Sequence, residues 1–315
     1  MSEELKCIAV FGATGSQGGA VVTALLADGK YTVRALTRNP TSTAAEALLT
    51  RGCQVVAAEL DDVPSLCKAL EGCYGAYVVT NYWADMNTAH EMAQTKNASE
   101  ACATAGVTHV VLSTLEDSRN FITEGNEDFP KLDGGKYYVP HFDCKGEAAE
   151  IFKSLVPTTL LYTSFYYENF INFGMGPKKA EGSEEYAITL PMGDKKLLMN
   201  AVADIGKMAV AAFNDKSTIN TSLYVSSTAM TVTEIAAAFK DIMGVNVVYN
   251  AVTPAQFAAF GFPGADDLAN MFHFFMDFEE HFLKTRDPVQ VATKIDVVSF
   301  EAYLQDNKAA FKVSA

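Results

Sequence analysis

An apolar run near the N-terminus, 5–11 (LKCIAVF), passes without a break into Gly12-Ala13-Thr14-Gly15-Ser16-Gln17-Gly18 and then into an amphipathic stretch. No other feature restricts the fold as strongly as three glycines spaced this way between a strand and a helix. Gly12 permits a tight turn, Gly15 lets backbone N–H groups approach a pyrophosphate, and Gly18 allows the helix to lie close against the strand. The helix then presents its unpaired N-terminal N–H groups to an anion. Ala13, Thr14, Ser16 and Gln17 complete the loop and join the three glycines as expected cofactor contacts.

The same unit repeats through the first 160 residues. Strands are expected at 5–11, 31–37, 54–58, 74–80, 107–113 and 158–163, and helices at 18–28, 42–51, 62–71, 85–105 and 141–154. Such alternation predicts an α/β fold of Rossmann type, a doubly wound parallel sheet that takes ligands beyond the carboxyl ends of its strands. From 164 onward the rhythm is interrupted by Gly/Pro punctuation at 174–177, 191–193 and 261–264. Two domains are therefore expected. Residues 1–163 form the dinucleotide-binding domain, and 164–315 form a smaller C-terminal α/β domain for a substrate or partner, with a strand near 222–226 returning to the main sheet. The segment 268–283 has mostly helical apolar spacing and reads as a core helix that can also line a pocket. The polar stretch 117–140 reads as a long surface loop or lid.

The 315 residues carry 24 Lys+Arg against 38 Asp+Glu, a net charge of −14. A field of that sign repels phosphate backbones and anionic lipid, which argues against direct nucleic-acid binding and suits either plain solubility or a basic regulatory protein partner. No run approaches the roughly 20 apolar residues that span a bilayer, and MSEELKCIAVFG does not read as a secretory signal, so no membrane role is expected. The expected compartment is the cytoplasm, with the nucleus left open. The six cysteines lie in the first half with no CxxC pair and no partnering histidines, so no metal site is expected and most read as small buried hydrophobes. The oligomeric state stays open.

NAD-type folds usually place an acid at the end of the second strand. Here the sequence is Leu36-Thr37-Arg38-Asn39-Pro40. Arg38 can pair with a 2′-phosphate through its planar donor fork, with Thr37 and Asn39 as neutral donors, which points to NADP(H). The bland alternative is an exposed arginine at a helix start. Asp61 and Asp62 can hold the adenine amino group, although Asp62 is equally a helix N-cap. The strand ending Val79-Thr80-Asn81-Tyr82-Trp83 is expected beside the nicotinamide ribose, with Tyr82 and Trp83 either shaping a pocket or packing.

The fifth strand ends in Ser113-Thr114, and His141-Phe142-Asp143-Cys144-Lys145 opens the following helix. Here the chain resembles the short-chain dehydrogenase/reductase superfamily, in which a Ser and a Tyr-x-x-x-Lys pair occupy these places. The resemblance makes Ser113, His141 and Lys145 the catalytic candidates, with Lys145 also binding the ribose. His141 stands in the tyrosine's slot. A histidine donates its proton from imidazolium, which a neighbouring Lys⁺ disfavours, so ordinary carbonyl reduction is put in doubt.

The chain is more closely similar to the NmrA-like atypical members of that superfamily, which include a human redox sensor. The shared segments are VFGATGSQGG (10–19), LTRNP (36–40), VTNYW (79–83), HFDCKGE (141–147), YYENF (166–170) and GFPGADDLANMF (261–272). The resemblance implies NADP(H) binding, weak turnover, and regulation of partner proteins by the NADPH/NADP⁺ ratio. It also adds Tyr166, Glu168 and Asn169 to the cofactor contacts. Isoflavone reductase-like members retain the lysine and reduce substrates.

Two functions follow. One is a sensor in which cofactor occupancy shifts loop populations and partner choice. The other is an NADPH-dependent reductase of a small aromatic, quinone or enone-like substrate. In it Lys145 acts through His141, Tyr137 or Tyr138 beside a pocket of Tyr82, Trp83, Phe165, Tyr166, Tyr167, Asn169, Met192 and Phe272.

Overall fold

The six apolar runs of the first half become strands β1 (Lys6–Val10), β2 (Tyr31–Thr37), β3 (Gln54–Ala57), β4 (Gly75–Val78), β5 (His109–Thr114) and β6 (Thr158–Tyr162) in a computed structural model that describes residues 5–179 and 185–311. These six pair in parallel. With a late strand, Ser222–Tyr224, they make a seven-stranded sheet in the order Ser222–Tyr224, β6, β5, β4, β1, β2, β3. Between the early strands run α1 (Ser16–Asp28), α2 (Thr43–Thr50), α3 (Val63–Leu70), α4 (Thr88–Thr104) and α5 (Pro140–Leu155).

Central strands of a two-sided sheet must be apolar along their whole length. Strand β4 is buried throughout, as are Val110, Val111 and Leu112 of β5, whereas the edge strand β3 is largely open. Each fully buried Val, Leu or Ile contributes roughly 1.5–3 kcal/mol. Helix ends are set locally. The Ser42 hydroxyl caps α2 and the Asp62 carboxylate caps α3, each accepting a backbone N–H, and Gly29 ends α1 in the left-handed conformation.

A further helix, Val202–Asn214, was not foreseen from the sequence. Gly206 at its centre leaves no room for a side chain, since a Cβ there would lie 2.6 Å from the backbone carbon of Ala20 in α1. The Tyr31 hydroxyl fixes the helix end by donating to the Phe213 carbonyl at 2.7 Å.

Chain contacts divide the molecule into two units. Met1–Asp117, His141–Thr163 and Ala203–Leu223 form the sheet unit, and Ser118–Pro140, Ser164–Val202 and Tyr224–Ala315 form the second. The second unit has two three-stranded sheets. In one, Lys196–Asn200 lies between Phe165–Tyr166 and Thr228–Thr231; in the other, Tyr186–Leu190 lies between Val247–Ala251 and Lys178–Lys179. A capping box of Thr231 and Glu234 starts its longest early helix, Val232–Met243.

Two expectations for this unit need correction. The helix expected over 268–283 is two helices, Ala265–Asp277 and Glu279–Thr285, because Phe278 leaves helical geometry at φ −112° and ψ 27°. The stretch 117–140 is not a free polar loop. Ile122, Phe129, Tyr137, Tyr138 and Val139 are buried, and the Asn270 amide donates to the carbonyls of Pro130 (2.9 Å) and Tyr138 (2.7 Å). No helix of the described residues is long and apolar enough to cross a membrane.

Candidate functional site

Strand order reverses between β1 and β4, the place where parallel sheets of this kind open a crevice at their carboxyl ends. The glycine loop stands there. Gly12 takes φ +60°, and its carbonyl accepts the Gly15 N–H at 2.8 Å, closing a tight turn. Gly18 packs so closely that a Cβ would meet the Phe11 carbonyl oxygen at 2.6 Å. Thr14, Gly15 and Ser16 are exposed. Helix α1 begins after Gly15 with no side-chain cap and no acid in its first turn. No side chain accepts its first N–H groups, and a pyrophosphate fits that donor set.

Gln17 faces inward from the same loop. Its Oε1 accepts the Tyr77 hydroxyl at 2.7 Å and the Ser113 hydroxyl at 2.8 Å, tying α1 to β4 and β5. At the end of β2, the Asn39 N–H donates to the Thr37 hydroxyl at 3.2 Å, and Asn39 Oδ1 accepts the Thr41 N–H at 3.1 Å. This turn presents Arg38, which is exposed and has no hydrogen-bond or ion-pair partner among the described residues.

The acids after β3 are engaged locally. Asp62 caps α3, taking the second of the two roles its position offered. Asp61 accepts from His90 Nε2 at 2.9 Å and from the Gln94 amide at 3.1 Å, while His90 Nδ1 lies 2.5 Å from Asp85. Hydrogen bonds donated to Asp85 first and to Asp61 second hold the His90 pKa above its ordinary value.

The lysine site is closed on itself. Lys145 Nζ donates to Glu91 Oε1 at 2.5 Å and to the Thr80 carbonyl and hydroxyl at 3.1 Å each. An ammonium has three N–H groups, and these three acceptors use them all. Glu91 is itself filled, because Cys144 Sγ donates to Oε2 at 2.9 Å and the Thr80 hydroxyl donates to Oε1. Burial pushes the Glu91 carboxyl upward, but the Lys145 charge and the three donors outweigh it and hold the group below its usual range. The Thr114 hydroxyl, donating to the Lys145 carbonyl at 2.9 Å, fixes α5 against β5.

His141 is buried one turn earlier. Its ring lies 4.8 Å from Trp83, 6.1 Å from Tyr82 and 4.9 Å from Phe142, centroid to centroid. The sheet unit thus brings together the glycine loop, Ser113, Thr80, Tyr82, His141 and Lys145 on neighbouring strand ends. Asn81, next to them, is exposed.

A family model described as the NmrA-like family matches residues 4–304. The chain belongs to the NmrA-like family. Among curated relatives, the NmrA-like family domain-containing oxidoreductase FrzB of a Cladobotryum species is 27% identical over 292 residues, covering 85% of this chain and 83% of that protein. Among solved structures, NmrA, a negative transcriptional regulator, in complex with NADP superposes with a TM-score of 0.76 at 19% identity, covering 96% of this chain and 95% of that one. The triphenylmethane reductase of a Citrobacter species, complexed with NADP(H), gives 0.73 at 19% identity, with 96% and 99% covered.

Three expected cofactor residues of this NmrA-like chain belong to the second unit. Tyr166 lies in a strand, paired with Asn200. Glu168 accepts the Val202 N–H with both carboxylate oxygens at 3.1 Å, and Asn169 starts a single helical turn, Asn169–Asn172. Of the expected pocket set, Tyr167, Met192 and Phe272 are wholly buried and Tyr82 and Phe165 nearly so. The reserve proton donors Tyr137 and Tyr138 are also buried. Sequence reasoning missed Glu91. A signal existed, since Thr88, Glu91, Thr95, Ala98 and Cys102 recur at helical spacing on the buried face of α4.

Proposed function

We propose that the protein binds NADP(H) through the glycine loop and Arg38 and acts as a sensor of the NADPH/NADP⁺ ratio that regulates a protein partner. The observation that carries this reading is the closed lysine site. A proton-donating site needs a donor free to meet a substrate, whereas all three Lys145 donors are engaged within the protein and His141 is enclosed by aromatic rings. When bound, the cofactor supplies hydride chemistry. The chain's own residues hold the pyrophosphate at α1, offer Arg38 to the 2′-phosphate, and keep Lys145 ordered near the strand ends. The complexes of NmrA with NAD and with NADP and of the reductase with NADP(H) support a nicotinamide dinucleotide, and the choice of NADP(H) rests on Arg38.

The second reading is an NADPH-dependent reductase of a small aromatic, quinone or enone-like substrate. It is favoured by the retained Lys145 and by relatives named as oxidoreductases. One experiment separates the two. Hydrogen exchange with NADPH and with NADP⁺ should give different protection patterns, while NADPH absorbance should stay constant in the presence of quinones, imines and enones. Turnover of a defined substrate at about 1–10 s⁻¹ would overturn the sensor reading.

A further inference from the structure

Two thiols that the cofactor site does not use lie at the opposite, amino-terminal end of the same strands. Cys7 is the second residue of β1, and Cys73 sits in the turn before β4. The Tyr74 N–H donates to the Cys7 carbonyl at 2.8 Å, so these segments are fixed side by side. Cys73 Sγ lies 3.7 Å from Cys7 Sγ and donates to it. Cys7 is half-buried and Cys73 is buried. We propose that Cys7 and Cys73 are a hydroperoxide-reactive thiol pair that closes to an intramolecular disulfide.

The geometry suits a nucleophile and a resolving partner. A disulfide needs sulfurs about 2.05 Å apart, so side-chain rotation must shorten a contact that already exists. The Cys73 hydrogen bond, foremost, holds the Cys7 thiol down to about 6 against the opposing effect of burial, with smaller help from Thr32 and the Arg34 charge. Cys73, as the donor and as a buried group, is pushed up. These directions favour the thiolate on Cys7 and the protonated thiol on Cys73.

In the first step the Cys7 thiolate attacks a hydroperoxide oxygen. An S–O bond forms, the O–O bond breaks, and the leaving alkoxide or hydroxide takes up a proton from water. Cys7 is then a sulfenic acid. In the second step the Cys73 sulfur attacks Cys7 sulfur, the S–S bond forms, and the S–O bond breaks. The Cys73 proton leaves with the hydroxide as water. Two thiols and one hydroperoxide give one disulfide, one water and one alcohol, or a second water when the oxidant is hydrogen peroxide.

Cys67 is the internal control, being half-buried like Cys7. The test treats the full chain with hydrogen peroxide at neutral pH, blocks remaining thiols, and maps peptides without reduction. The expected result is a Cys7–Cys73 crosslink formed in the monomer before Cys67 is modified. In Cys73→Ser the expected product is a dimedone-trapped sulfenic acid at Cys7 that the parent does not accumulate. Alkylation of Cys7 by iodoacetamide should fall as the pH drops through about 6. Oxidation of Cys7 no faster than Cys67, or a lasting Cys7 sulfenic acid in the parent, would overturn the proposal. Because all readouts are thiol chemistry without added nucleotide, their failure would leave the NADP(H) reading untouched.

Discussion

The glycine loop and the lysine cluster occupy neighbouring strand ends of one sheet, yet they treat their donors in opposite ways. Among the described residues the loop leaves the first N–H groups of α1 without a side-chain cap and Arg38 without a partner, while the cluster engages every N–H of Lys145 and both oxygens of Glu91. The difference teaches that neighbouring strand ends of one sheet can leave one set of donors open while closing another into a buried ion pair. Unused donors mark the part that awaits a ligand.

The strongest way to break this contrast is Glu91→Ala. Removing one partner of a buried ion pair leaves Lys145 uncompensated and should cost about 3–5 kcal/mol, measured by urea unfolding. The double variant Glu91→Ala/Lys145→Met should recover part of that loss. A cost within ~0.5 kcal/mol, as at an ordinary surface position, would mean that the cluster is not closed. Next comes Gly18→Val, which forces side-chain atoms onto the loop backbone. It should lose NADPH binding and about 1–3 kcal/mol of stability, read by fluorescence titration and thermal unfolding; unchanged affinity would remove the loop from the site.

Arg38→Ala sharpens the other side of the contrast. Loss of a charge-assisted phosphate contact costs about 1.5–3 kcal/mol, or roughly ten- to a hundredfold. It should weaken NADPH far more than NADH, and equal affinities of the parent for the two cofactors would refute the assignment. The smallest effect is in pH. The Glu91 carboxyl is held below its ordinary value of 4.5, so its stabilising contribution is present above that value and is lost as the pH falls through the depressed one. The parent should therefore lose stability more steeply in acid than Glu91→Gln, and parallel acid transitions would count against the pairing.

Much of the sheet unit was legible in the sequence because apolar runs and glycines report backbone requirements directly. Strand 31–37 coincides with Tyr31–Thr37, and the other five strands fall within one or two residues of their expected ends. Glu91 escaped notice because a glutamate in a helix reads as solvent-facing, and only its partner on α5 reverses that reading. The helix Val202–Asn214 was missed for a related reason. Gly206 looks like an interruption, but it serves the close crossing with α1. In 117–140 the polar composition outweighed Phe129, Tyr137 and Tyr138, and the Asn270 amide that donates to the Tyr138 carbonyl lies far along the chain.

The interleaving of the two units also bears on biosynthesis. Strands β1 to β5 are complete once Thr114 has been made, but β6 ends at Tyr162 and the outermost strand at Tyr224. At about 5–20 residues per second, a nascent chain holds the β5 edge unpaired for several seconds. An open edge of Val110, Val111 and Leu112 is a template for another chain. Slower elongation across 115–162 therefore lengthens the time for which that edge stands unpaired, an exposure that ends when β6 pairs with β5.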